Sequence, residues 1–249
     1  WRLVLLLSHF GITLPVGIVI RASVAGHYAG LFVFSIVGQV VGRDYVLRHH
    51  GVTPVLSAAL VFYEKMASLF VGGLLCLIGA VYLADKLPLI EYLPNIPYAQ
   101  MVFIAVVGFA LSCVLWRSKF ESLLFSRLAS MRTLFNFIVI VITTVIANLI
   151  VISSFVVGVL AFYPDANLLE IFAAAAIISF AASLPLTLNG WGLREMAALY
   201  ILGMFGIAAS KAVALSVLVG LCASVVILIA TILVFYGKQS VEAACITDN

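Results

Sequence analysis

Charge is what this sequence has least of. Only 9% of its 249 residues are Asp, Glu, Lys or Arg, against 65% hydrophobic, and the mean hydropathy is +1.28. A soluble globule carries about a quarter charged residues, so the composition excludes one and indicates an all-α, polytopic membrane protein. The net charge of +3 is small and the basic residues sit at segment ends, which leaves nucleic acid nothing to hold. Cysteine is scarce as well. Cys76, Cys113 and Cys222 fall inside apolar runs and Cys245 near the end, without Cys-x-x-Cys spacing, so redox and metal chemistry have no framework. His49 and His50 are adjacent and cannot share a helical face, so no metal is expected there. No carboxylate pair or histidine group shows catalytic spacing, which argues against an integral membrane transferase; neither enzyme activity nor a cofactor is expected. The chain opens on Trp1, and further sequence is expected upstream.

What is present is a succession of apolar runs, about five of them long enough to span a bilayer: 1–20, 55–84, 99–116, 134–163 and 211–236. Between them, 85–98 holds Pro88, Pro94 and Pro97 and reads as an interfacial loop. Residues 117–133 interleave Arg117, Lys119, Arg127 and Arg132 with leucine and phenylalanine, as an amphipathic helix on anionic headgroups would. Lys and Arg thus concentrate in 117–133 and 43–53 and are sparse in 85–98 and 164–170. The two basic connections are therefore expected to face the cytoplasm, which also puts the polar tail 237–249 there. One transmembrane domain covers 1–249.

The run 183–195 interrupts this pattern. It is polar and glycine-rich, and neither 171–182 nor 196–205 reaches the length of about 20 residues that a span needs. Non-helical backbone at such depth needs protein or water around it, and an intramembrane Arg194–Glu195 pair is costly unless used, so a re-entrant broken helix is expected. Pro185 ends the incoming helix, while Gly190 and Gly192, following Asn189, allow close backbone approach. Free N–H groups and the positive dipole end of the next helix then point where the Arg194 guanidinium points, a combination that suits phosphate. The alternative is that Arg194 and Glu195 only neutralise each other and cap a helix.

A weak internal repeat places a second break earlier. Gly38 leads to Arg43 and Asp44 much as Asn189 leads to Arg194 and Glu195. Each stretch is followed by a glycine, Gly51 or Gly206, and then a span. By the inferred topology the two units point oppositely, an inverted-repeat arrangement usual in secondary transporters. His27, Tyr28 and Gln39 are polar neighbours of the first unit, although Arg43, Arg48, His49 and His50 can equally be a topology signal. Glu64 and Lys65 lie about ten residues into their span, roughly 15 Å deep, where a carboxylate either pairs with an arginine, takes part in a coupled cycle, or only fixes helix packing. Thr144 and Asn148, and Ser216, Gly220 and Ser224, read as close-packing helix faces.

The stretch Pro185, Asn189, Gly190, Gly192, Leu193, Arg194, Glu195, followed by Gly203, Phe205 and Gly206, resembles a motif of the flippase-like family, the transmembrane region of lysylphosphatidylglycerol synthases. Gly38, Arg43, Leu47, Gly51 and Ala58 leading to Glu64 and Lys65 are similar to its earlier motif, as is the opening Trp1-Arg2-Leu3. Two departures stand out: Ser35-Ile36-Val37 where the family commonly has a proline, and Lys65 where it has arginine. The resemblance implies movement of lipids between leaflets of the cytoplasmic membrane, and not the synthase reaction, which belongs to a soluble domain outside these residues. The substrate is then an anionic-headgroup lipid, held by Arg194, Arg43 and the two glycine breaks, with Glu64 and Lys65 biasing the conformational equilibrium. A second reading is a noncatalytic partner that supplies lipid to a glycosyltransferase or aminoacyltransferase, docking through 117–133. Headgroup, energy source and homo-oligomer formation stay open.

Overall fold

The computed structural model describes the backbone of residues 2–84, 131–184 and 190–247, with all side chains of these except 9, 131–137 and 236–247. The described residues contain helices and no strand: α1 Arg2–His9, α2 Val16–Phe32, α3 Ser35–Leu47, a 3-10 turn Arg48–His50, α4 Pro54–Tyr82, α5 Met131–Phe162, α6 Leu168–Ser183, α7 Leu193–Gly203 and α8 Ala209–Thr247. Three are long and apolar enough to cross a bilayer, through Pro54–Tyr82, Ile138–Phe162 and Ala209–Phe235. The expected span 99–116, the loop 85–98 and the basic stretch 117–130 lie outside the described residues, as do the side chains of 131–133 and of the tail.

Residues 1–20 do not form one span. Gly11, at φ 77°, ends α1 in a left-handed turn, and Ile12 returns its N–H to the Leu7 carbonyl. Pro15 then sits at the N-cap of α2, where its missing N–H costs nothing. α4 starts the same way: Thr53 accepts from the Leu56 N–H at 3.3 Å and Pro54 is the first helical residue.

α2 and α3 form a tight antiparallel hairpin whose break falls at Val33 and Phe34, and not in 38–44, which is helical. A side chain at Gly38 would lie 2.6 Å from the backbone of Ala29 and Gly30, and one at Gly42 would lie 2.3 Å from the Ala25 carbonyl oxygen. These glycines let two backbones touch, as small residues at four-residue spacing do between membrane helices. The opposite face of α3 carries Val37, Val41 and Tyr45, all exposed.

Two apolar clusters set the helix directions. One gathers Leu3, Leu7, Val19, Leu47, Leu60 and Ile140, joining α1, the start of α2, the end of α3 and the early parts of α4 and α5. The other gathers Leu83, Val159, Ile171, Leu202, Ala212 and Leu215, joining the ends of α4, α5 and α7 to the starts of α6 and α8. α4 and α5 therefore run parallel and α8 runs against them. The pair α2–α3 begins and ends at the first cluster, and α6–α7 begins and ends at the second, so the pairs enter from opposite ends. Their inner ends meet the middle of α4, where Ser35 takes the Lys65 ammonium and Phe180 lies across Gly72 and Gly73. Lipid tails are as apolar as leucine, so packing fit, more than exclusion of water, holds these contacts.

Candidate functional site

Among the described residues, the buried arginine–carboxylate pairs form two centres, each built on one of the helix pairs. In the first, α3 turns Arg43 inward beside its seam with α2, and the side chain runs over Gly26 of α2, leaving it 2% exposed. Its Nη2 donates to Glu64 Oε2 at 2.5 Å, while Nε and Nη1 are buried without an acceptor among the described residues. One residue on, Lys65 Nζ donates to Ser35 Oγ at 3.1 Å, and Gln39 Nε2 donates to the same oxygen at 3.1 Å. Arg2 arrives from α1 and donates to Thr144 Oγ1 at 3.2 Å, within electrostatic reach of Lys65. Of these three cationic side chains, Arg43 is paired with a carboxylate, whereas Lys65 and Arg2 are held on hydroxyls.

The second centre forms where α7 begins. Gly190 at φ 81° and Gly192 at φ 90° hold backbone conformations that side-chain-bearing residues resist, and a Cβ on Gly190 would meet the Ala182 carbonyl oxygen at 2.6 Å. This turn puts Arg194 and Glu195 in the first turn of α7. Glu195 Oε2 accepts the Gly192 N–H at 2.5 Å, one half of a capping box, and its Oε1 takes Arg194 Nη2 at 2.9 Å and Nε at 3.2 Å. Ser216 Oγ of α8 accepts from Arg194 Nε at 3.3 Å, and the Trp191 ring lies 4.9 Å from the guanidinium carbon. Arg194 is 7% exposed.

Of the residues anticipated from sequence, Arg43, Glu64 and Lys65 share the first centre, and Gly190, Gly192, Arg194 and Glu195 share the second. Gly38 lies in the α2–α3 contact, one helical turn past the break, with its N–H on the Phe34 carbonyl. Asp44 does not pair with Arg43, unlike Glu195 with Arg194; among the described residues its Oδ1 is buried without a hydrogen-bond partner. Asn189 and Pro185 lie outside the described residues. His27 is exposed and bonds the Ser23 carbonyl at 2.8 Å, and Tyr28 packs edge-on against Phe32. Asn148 and Ser224 bond carbonyls of their own helices, at Thr144 and Gly220. Sequence reasoning missed Arg2, Ser35, Trp191 and Gly26 as parts of the site. Gly26 and Gly30, spaced like Gly38 and Gly42, were the legible signal for the helix pairing that buries Arg43.

The fold and site define a multi-pass, all-helical membrane protein with two arginine–carboxylate centres inside its bundle. The chain belongs to the family described as lysylphosphatidylglycerol synthase TM region, which it matches over residues 1–231. No curated protein and no solved structure matches it. The family is one of membrane proteins related to lipid synthesis and flipping.

Proposed function

We propose that the protein is a flippase that moves a lipid with an anionic headgroup, a phospholipid, an aminoacyl-phospholipid or a polyprenyl-linked sugar phosphate, across the cytoplasmic membrane. The observation that carries this reading is the first centre: among the described residues Arg43 pairs with Glu64, Lys65 and Arg2 are held on hydroxyls, and two Arg43 donors have no hydrogen-bond partner. Buried charge is costly in a bilayer, and forked guanidinium donors match two phosphate oxygens. The opposed entry of α2–α3 and α6–α7 supports two re-entrant hairpins related as an inverted repeat, each bringing an arginine to the bilayer interior. Lipid would exchange its phosphate between these arginines while its tails stay in hydrocarbon.

The test is translocation by the purified chain in liposomes, using fluorescent phosphatidylglycerol and phosphatidylcholine analogues. The anionic probe should cross at least tenfold faster than in protein-free liposomes, and Arg43→Ala should abolish the gain while the chain stays folded. Equal rates for both probes, or full transport by Arg43→Ala, would refute the reading.

A further inference from the structure

The Arg194 guanidinium lies directly on the backbone of α8. A Cβ at Gly220 would stand 2.0 Å from Nη2 and 2.4 Å from both Cζ and Nη1. No such atom can coexist with the arginine in this position. One turn earlier on α8, Ser216 takes Nε, so the helix offers a hydroxyl and then a bare backbone, and the guanidinium spans both. Trp191 covers it at 4.9 Å and Glu195 holds one edge. Among the described residues Nη1 has no acceptor.

We infer that Gly220 is a positioning residue: its missing side chain is the slot that stows Arg194 with Nη1 left for a headgroup oxygen. This rests on the lipid reading given above. The atoms a methyl would strike are all the far end of a flexible side chain, so the substitution should move the guanidinium and spare the fold. At Gly42 the struck atoms belong to the backbone of Ala25 and Gly26, which cannot swing aside. In the first centre Gly26 has a mixed role, because a Cβ there would stand 2.9 Å from Arg43 Cγ and 3.1 Å from the Gln39 carbonyl oxygen.

Trp191 reports the slot without reference to transport. In the full chain carrying Trp1→Phe and Trp116→Phe, Trp191 is the sole indole, and its emission should respond to the cation over its ring. Gly220→Ala should change that emission in the direction that Arg194→Ala does, and should add nothing in an Arg194→Ala background. Unaltered emission, an equal change in both backgrounds, or failure of Gly220→Ala to accumulate as folded protein would each overturn the inference. In liposomes Gly220→Ala should lower anionic-lipid translocation at least tenfold. If the emission changes as expected and translocation keeps its parent rate, the slot stands and the headgroup role of Arg194 falls.

Discussion

Glu64→Gln removes the carboxylate from Arg43 while leaving a guanidinium that is 2% exposed. With charge centres about 4 Å apart and an effective dielectric near 20, the lost attraction is about 4 kcal/mol. Measured cases of breaking one side of a buried pair fall in the same range, about 3–5 kcal/mol. Among the described residues Nε and Nη1 already lack acceptors, so the glutamine amide oxygen would be the guanidinium's one replacement contact in the present geometry. Replacing both members, Arg43→Leu with Glu64→Leu, removes the buried charges together and should cost about 1 kcal/mol or less. The measurement compares the unfolding midpoints of the parent, Glu64→Gln and the leucine double variant, each detergent-purified, in a denaturant titration. A cost for Glu64→Gln below about 1 kcal/mol, or a double variant as unstable as the single, would show that the two charges are not held against each other in a dry interior. The leucine pair should fold and move no lipid. Translocation at the parent rate by that variant would make the pair a packing element.

Gly42→Ala should destabilise by about 3 kcal/mol or more, seen as loss of folded yield, because its methyl meets the Ala25 carbonyl oxygen at 2.3 Å; Gly203→Ala, which meets nothing within 4 Å, is the tolerated control. Arg194→Ala should abolish translocation and Arg194→Lys restore only part of it, since an ammonium keeps the charge without the fork; if Arg194→Ala unfolds the chain and adding Glu195→Gln reverses that, the pair is structural. In a chain with its cysteines replaced, Asp165→Cys and Ala208→Cys should react with an impermeant reagent from one side of the membrane and His50→Cys from the other. Labelling of 165 and 208 from opposite sides would mean that 171–205 spans and is not re-entrant.

Helix content, the long helices and the residues of the second centre were legible because each rests on local signals. Length and hydropathy mark α4, α5 and α8, and the run 183–195 announces its turn through Gly190 and Gly192. The first centre was less legible. Glycine in an apolar helix signals either a turn or a close backbone contact, and Gly38 and Gly42 serve the second purpose while the chain turns at Val33 and Phe34. Asp44 stands beside Arg43 as Glu195 does beside Arg194, yet only the second pair closes; the partner of Arg43 is Glu64 of α4, whose depth in its span made an arginine partner one of its expected roles. Arg2 could not be assigned to the site from spacing, because only tertiary packing brings α1 to Thr144.

One turn of α3 carries both faces of this problem. Val41 and Tyr45 are each 61% exposed, while Gly42 and Arg43 between them are buried. The wall between hydrocarbon and the buried guanidinium is therefore a single helix, about 10 Å thick. The same thirteen residues of α3 thus set the glycine seam with α2, the seat of the buried arginine and the apolar face turned outward.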